Sequence, residues 1–241
     1  MDYRLASVDA AIERAFMARW HYSGTTVPNS AVRLGAFSGS RLMGVISFGR
    51  IINCVPIFRG VSNRAGLEIN RLAMLDEAPR NSESWFIARA IHLLRRGYPW
   101  LRFVHTWADG RCSGGVIYRA AGFLYLRKIR GTGFYLLPGG RVMHRVAFNK
   151  VYLKRYGPRL RGLTGIDQVR AVFGDGAREI ETWQHHYVKL IDPTLRPLLL
   201  FGPLPYERRS SNGKAPEDHS GDGGSKPTPA LQPASIELPA S

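Results

Sequence analysis

Residues 68–84 constrain the fold of this chain more than any other segment. A strand-like apolar run over residues 68–75 leads into a polar turn at Pro79, and a helical pattern follows from Ser84. Backbone N–H groups in the first turn of a helix lack internal partners and carry the positive end of the helix dipole, so the junction favours a bound phosphate or other anion. An ordinary strand–loop–helix junction is the alternative left open here. The residues of the junction suited to capping or to anion binding are Arg71, Arg80, Asn81, Ser82 and Ser84.

Composition indicates one sizeable soluble domain. The 241 residues are 44% hydrophobic, which is enough for a packed core. Cys54 and Cys112 lie far apart, and this fits a reducing compartment better than a disulfide framework. The chain lacks the apolar run of a signal peptide or of a membrane span. We therefore expect a cytoplasmic protein.

The charge is strongly positive and unevenly placed. The net charge is +16, yet the segment from Arg208 onward holds four basic and four acidic residues, so the excess lies in residues 1–207. A folded body this basic attracts a polyanion, and nucleic acid is the commonest such partner. A generically basic protein without such a ligand is the alternative.

Hydrophobic periodicity predicts an α/β fold. Strands, helices and turns alternate after an N-terminal helix and a hairpin, and this pattern favours a mixed central sheet with helices on both faces. The predicted helices cover residues 8–20, 84–96 and 115–121; the predicted strands cover residues 33–37, 42–48, 68–75, 103–107, 123–128, 133–137 and 183–191. We predict one domain over residues 1–206, whose C-terminal part is basic, and a disordered tail over residues 207–241.

Three residues could carry chemistry, each with a simpler structural role. Tyr118 begins a Tyr-x-x-x-Gly-Phe pattern that resembles the last helix of the GNAT acyltransferase fold, where a tyrosine can protonate the departing coenzyme A thiolate; packing is the alternative role. His21 opens a polar loop, in which a lone histidine is more often a structural hydrogen-bonding group. Asp109 follows a strand at its carboxyl end, where α/β sheets place their sites, although it could simply cap the next turn.

The remaining histidines give no such signal. His185 and His186 cannot face the same way on one strand, and we predict a surface pair that could contact phosphate. One histidine and one aspartate are too few to indicate a metal site from spacing. His92, His105 and His144 carry no context that raises them above structural roles.

Several motifs together resemble the Mom family of phage DNA-modification proteins, over roughly residues 21–149. They include the Pro-Arg-Asn-Ser-Glu-Ser run that ends at Ser84 and the Ala-Asp-x-Arg-Cys turn that ends at Cys112. The resemblance implies a GNAT-like fold and conversion of adenine in double-stranded DNA to N6-carbamoylmethyladenine, which protects phage DNA from host restriction. It also implies acetyl-CoA and iron as cofactors, while the sequence leaves a homodimer open.

By position, the resemblance assigns roles to residues of this chain. Arg71 and Ser84 would hold the acyl-CoA, His21 and Asp109 would lie at the reactive centre with iron contact, and Tyr118 would be catalytic. Two other classes of function stay open. One is a GNAT N-acetyltransferase for a protein or small amine, and the other is an inactive DNA-binding protein on the same scaffold.

Overall fold

The computed structural model describes residues 3–52, 56–111 and 114–206, and Met1–Pro205 form one compact unit. The predicted disordered tail and both cysteines lie outside the described residues. The strands are β1 Arg4–Ser7, β2 Ser30–Ser38, β3 Arg41–Gly49, β4 Gly66–Met74, β5 Phe103–Asp109, β6 Leu124–Gly131, β7 Phe134–Leu136, β8 Val142–His144, β9 Arg178–Glu179 and β10 Thr182–Leu190. The α-helices are α1 Ala10–Trp20, α2 Ser82–Gly97, α3 Val116–Ala120, α4 Arg145–Phe148, α5 Lys154–Tyr156 and α6 Ile166–Phe173.

Seven strands form a mixed sheet in the order β1-β2-β3-β4-β5-β10-β6. β4 and β5 are parallel and the other neighbours are antiparallel. The sequence of β4, loop, α2, β5 and α3 is the order that the GNAT resemblance implied, so the predicted α/β fold class is confirmed. The strand of this sheet that is missing from the prediction is β1, a four-residue edge strand too short to show a periodic pattern. The prediction also lacks β8, β9, α4, α5 and α6, which lie outside this sheet.

Both faces of the sheet are covered at its centre. Val45 and Ile46 are neighbours on β3 and point to opposite faces, yet both are fully buried. One face of α2 is apolar and buried, and it belongs to the same core as Phe16 and Met17 of α1. The residues of this face are Phe86, Ile87, Ala90, Ile91 and Leu94. α1 begins at Asp9, whose carboxylate accepts a hydrogen bond from the Ile12 N–H, and its buried Glu13 pairs with Arg33 of β2.

β4 carries the irregularity that shapes the site. Its register against β3 shifts between Ile69 and Arg71, so Asn70 is an extra residue that bulges from the ladder. On its other side β4 pairs with β5 only over Gly66–Glu68, and the two strands part beyond Glu68 and His105. The carboxyl half of β4 is therefore not paired with β5, and we call this opening between the two strands the gap.

The chain between β6 and β10 forms a second, smaller core. β8, β7 and β9 make a three-stranded sheet, and the helical segments that follow β8 pack on it around Phe148, Leu160 and Val169. Residues 110–166 contain 12 Lys or Arg and no Asp or Glu, and we call this range the basic segment. Within the described part of the chain, no helix has both the length and the apolar character that crossing a membrane requires.

Candidate active site

A cavity of about 390 Å³ lies at the predicted junction, between the end of β4, the start of α2 and the side of α3. Four of the predicted residues line it: Arg80, Asn81, Ser82 and Ser84. Across the cavity are Val116, Ile117 and Ala120 of α3. The lining also contains Asp76 and Glu83, so its side chains carry no net positive charge. Anion binding there depends on the backbone N–H groups of the first turn of α2.

The start of α2 differs from the prediction in one respect. Asn81 occupies the N-cap position but has a left-handed backbone, with φ of +70°, and its side chain makes no capping hydrogen bond. The hydroxyls of Ser82 and Ser84 donate to the carbonyls of Pro79 and Asn81. The prediction that these side chains cap the helix is therefore wrong, because the Ser82 and Ser84 hydroxyls bond carbonyl oxygens. The Ser82 N–H itself donates to the Pro79 carbonyl at 3.1 Å, so an anion at this end would have to bind the N–H groups that follow Ser82.

Arg71 lies in the gap between β4 and β5 and does not line the cavity. Its Nε donates to the Thr25 carbonyl at 2.9 Å and its Nη1 to the Asn70 carbonyl at 2.7 Å, so it ties the loop after α1 to β4. Burial lowers the pKa of Arg71, and interactions with Tyr22, Glu13, Glu68 and Tyr118 partly offset this. Arg71 therefore lies between α3 on one side and the loop that follows α1 on the other.

His21 ends α1 beside Arg71. Its Nδ1 accepts the Ser23 N–H at 3.1 Å and lies 2.8 Å from the Ser23 hydroxyl, so the proton of the neutral ring sits on Nε2. Burial and then the Arg71 charge lower the pKa of His21 from 6.5 to about 4. His21 is consequently a neutral imidazole at physiological pH.

Tyr118 reaches the gap from the opposite side. It is 9% exposed, lies on α3 and packs against Phe123 and Tyr187. α3 can approach β10 this closely because Gly115 precedes it: a Cβ at Gly115 would come within 2.3 Å of the Tyr187 ring, and its φ of +86° also favours glycine. The structure therefore brings Tyr118, Arg71 and His21 to one gap, and the same helix α3 lines the cavity.

Asp109 ends β5 in a compact turn. Its carboxylate accepts the Arg111 N–H at 3.0 Å and the Arg111 Nε at 3.0 and 3.1 Å. Its side chain is 6% exposed. These contacts match the turn-capping role considered as its alternative.

The residues described do not fit the implied iron site. Both carboxylate oxygens of Asp109 face a guanidinium, and His21 uses Nδ1 for Ser23 and lies beside the Arg71 cation. The described ranges contain no group of three or more His, Cys, Asp or Glu placed to hold a metal. A metal ion at this pair would have to displace one arginine and face another.

Sequence reasoning missed a second set of polar residues on the floor of the gap. His105 and His186 are 1% and 2% exposed, and His105 Nδ1 lies 3.1 Å from His186 Nε2. The prediction of a surface pair is therefore wrong for His186, while His185 on the opposite face lies 3.0 Å from the Tyr125 hydroxyl. Alternation along the strand separated the two rings correctly, but only the pairing of β10 with β5 shows which ring is buried.

Comparison with known proteins gives one curated relative and several solved structures. The "Methylcarbamoylase mom" of Escherichia phage Mu is 36% identical over 162 residues, and the match covers 66% of this chain and 66% of the phage protein. The aminoglycoside acetyltransferase AAC(6')-Ib, solved with coenzyme A and kanamycin, gives a TM-score of 0.41 at 14% identity, over 62% of this chain and 99% of that one. The IAA acetyltransferase from Bacillus cereus gives 0.44 at 11% identity, over 79% and 100%.

A family model covers far more of the chain than the curated relative does. The model of the Mom protein family matches residues 2–208, which include the cavity, the gap and the basic segment. This chain belongs to the Mom protein family.

Proposed function

We propose that this protein is a GNAT-like transferase that uses acetyl-CoA to convert adenine in double-stranded DNA to N6-carbamoylmethyladenine, and so protects phage DNA from restriction. One observation carries the proposal: α3 lines the cavity with Ile117 and Ala120 and places Tyr118 beside Arg71 in the gap. A cofactor held in the cavity would thus reach an acceptor in the gap. Membership of the Mom family and the phage Mu methylcarbamoylase support the reaction.

Acetyl-CoA fits the cavity by chemistry. Its phosphates would accept from the first-turn N–H groups of α2, with Arg80 and Ser84 at the rim. The apolar side chains of α3 suit the pantetheine arm. Tyr118, at the gap, would donate a proton to the departing thiolate. Coenzyme A occupies the solved aminoglycoside acetyltransferase, and this supports the same cofactor class here.

The acceptor must leave the double helix. Adenine N6 is a weak nucleophile because its lone pair is delocalised into the ring, and base stacking shields it. Extrusion of the base costs a few kcal/mol, which aromatic stacking can offset. Trp20 and Tyr22 are 41% and 65% exposed beside His21, so their exposed ring surfaces can stack on a base, whereas Trp107 already stacks on His186 at 4.2 Å.

The basic segment would hold the DNA backbone. Residues 145–166, which follow β8 directly, carry cations and no carboxylates, so phosphate contacts there would add affinity that is independent of sequence. We assign this role to Lys154, Arg155, Arg159 and Arg161. The binding of double-stranded DNA, the cytoplasmic location and the domain boundary at residue 206 stay predictions.

The use of iron as a cofactor stays a prediction as well, and none of the residue roles proposed above depends on it. A carbamoylmethyl product joins nitrogen to the former methyl carbon of the acetyl group, and one-electron metal chemistry is one route to such a bond. Metal analysis of the purified protein, and of the Asp109→Asn and His21→Gln variants, tests whether iron is held and by which residues.

Nucleoside mass spectrometry of plasmid DNA co-expressed with the protein tests the function. A modified deoxyadenosine of the expected mass supports it. Unmodified DNA together with an acetylated protein or amine would instead favour the GNAT N-acetyltransferase. DNA binding without any product would indicate an inactive DNA-binding protein.

A further inference from the structure

The floor of the gap holds a line of polar side chains that the proposed function leaves unused. Glu68 is the last residue of β4 that pairs with β5, and its Oε2 lies 3.6 Å from His105 Nε2. His105 Nδ1 continues to His186 Nε2 at 3.1 Å. The His186 ring in turn lies flat on Trp107, with 8° between the ring planes. Three strands thus contribute one continuous Glu–His–His line.

The line is built into the interior. His105 and His186 are almost fully buried, while the Glu68 side chain is 21% exposed at the open end. Among the described residues, His105 Nε2 and His186 Nδ1 have no hydrogen-bond partner within normal distance. Buried polar atoms without partners are rare because each one loses its hydration without replacement. Trp107 Nε1 and Arg127 Nε nearby are in the same condition, so the line is distinguished by its burial and by the distances along it.

Burial sets the charge of His186, while its contact with His105 allows either ring to be the donor. Burial, and then the neighbouring His105 and Arg127, lower the pKa of His186 to about 3, so its ring is neutral in the working range of pH. If His186 Nε2–H donates to His105 Nδ1, the proton of His105 sits on Nε2 and points at the Glu68 carboxylate. At 3.6 Å this is an electrostatic contact longer than a hydrogen bond, in which the His105 N–H directs the positive end of its dipole at the carboxylate.

We propose that Glu68 is the proton acceptor for the acceptor amine, and that His105 and His186 are positioning residues that hold its carboxylate toward the gap. This rests on the proposed transfer to an exocyclic amine. The step assigned to Glu68 is a proton transfer alone; breaking the bond at carbon, which for a carbamoylmethyl product includes a two-electron oxidation of the former methyl group, is not part of it. The N–H bond breaks, its electron pair remains on nitrogen, and the proton forms an O–H bond on Glu68.

The surrounding charges suit this role. Arg127 of β6 acts on His186, and Arg71 of β4 acts on Glu68. The groups that interact with Arg71 in turn are Glu13 of α1, Tyr118 of α3, and His21 and Tyr22 after α1. Arg71 and Glu68 attract each other, and this attraction offsets part of the lowering of the Arg71 pKa by burial. Neutral His21 adds no competing positive charge.

Substitutions in the full-length protein separate the roles. Glu68→Gln keeps the shape and removes the proton acceptor, so kcat should fall by about 100-fold or more while KM for acetyl-CoA stays within about twofold. His105→Leu should lower kcat by about tenfold and move the acid limb of the pH–rate profile to higher pH. His105→Gln can still donate to Glu68 and should recover most of the loss. His185→Gln, on the same strand as His186 but on the opposite face, is the matched control and should stay within about twofold of the wild type.

Two results would overturn the proposal. One is Glu68→Gln with kcat within about threefold of the wild type. The other is an equal loss for His105→Leu and His105→Gln with a pH profile of wild-type shape, because a purely structural role predicts it. If the wild type acetylates an amine and leaves DNA unmodified, the DNA function fails, but the same variants measured on that amine still decide the role of Glu68.

A spectroscopic measurement needs no activity. In protein labelled with ¹⁵N-histidine, the ring nitrogens report which atom carries the proton. We expect Nε2–H for both His105 and His186. An Nδ1–H on His105 would point the wrong nitrogen at Glu68 and contradict the arrangement.

Discussion

Glu68 and His105 form the last registered pair between β4 and β5, and the strands part beyond them. The bulge at Asn70 follows at once and displaces the carboxyl half of β4 from the regular ladder. Arg71, the first residue after the bulge, therefore enters the gap beside His21 and Tyr118. The reactive centre proposed here exists because parallel pairing stops at this residue pair.

The cavity at α2 should lose its cofactor when a negative charge is added. We expect Ser84→Glu to raise KM for acetyl-CoA about tenfold or more, since a carboxylate at the first turn competes with the phosphates for the same N–H groups. Steady-state kinetics at saturating DNA measure the effect. Ser40→Glu in the exposed turn between β2 and β3 is the control. An unchanged KM in Ser84→Glu would place the cofactor elsewhere.

Tyr118→Phe should separate packing from chemistry. The ring contacts with Phe123 and Tyr187 survive the substitution, so the melting temperature should change little. If the hydroxyl protonates the thiolate, kcat should fall by about 100-fold. Tyr135→Phe, buried in the second core, serves as the comparison. Full activity in Tyr118→Phe would leave the tyrosine as a packing residue.

Asp109→Ala should abolish modification while DNA affinity stays nearly unchanged, if Asp109 acts at the reactive centre. Nucleoside mass spectrometry and a filter-binding or anisotropy assay measure the two properties. The contacts with Arg111 give a competing expectation, because loss of the carboxylate leaves a partly buried guanidinium unpaired. A large parallel loss of activity, DNA binding and stability would mean that Asp109 is structural.

DNA affinity should depend on the basic segment through salt. We expect the Lys154→Ala, Arg155→Ala double variant to weaken binding and to reduce the slope of log K against log[salt] by about 0.9 for each phosphate that the variant no longer neutralises. The exposed pair Arg95 and Arg96, at the end of α2, offers a matched double alanine variant of equal charge change. Equal slopes for both variants would indicate general electrostatic attraction without a docking surface.

Stability should fall in mild acid. The pKa values of His21 and His186 are lowered to about 4 and about 3, so the unfolded chain binds protons at a pH where the folded protein does not. The stabilising contribution is complete above pH 6.5 and is lost progressively as the pH falls toward 4 for His21 and toward 3 for His186. Urea denaturation at a series of pH values measures it. His186→Gln should flatten this dependence, and an unchanged slope would contradict the assignment.

Local sequence signals were sufficient for most of the elements and for the cofactor side of the site. The apolar periodicity of α2, the turn at Pro79 and the Gly122 stop after Tyr118 are properties of neighbouring residues, and they predicted the β4–α2–β5–α3 order correctly. The motifs around Ser84 and Asp109 also indicated the Mom family, which the family model confirms. The predicted capping of α2 was wrong because Asn81 adopts a left-handed backbone that its sequence context does not specify.

Only the tertiary structure decided which residues of distant strands lie next to each other. Glu68, His105 and His186 are separated by 37 and 81 residues in the chain, and each by itself looks like an ordinary polar residue. They meet because β10 inserts between β5 and β6 and because β4 pairs with β5 for only three residues. Strand order and register depend on long-range pairing, so no local pattern encodes them, and the same is true of the burial of His186. The sequence thus determined which elements form and the family to which they belong, while the pairing of distant strands determined the polar floor of the gap.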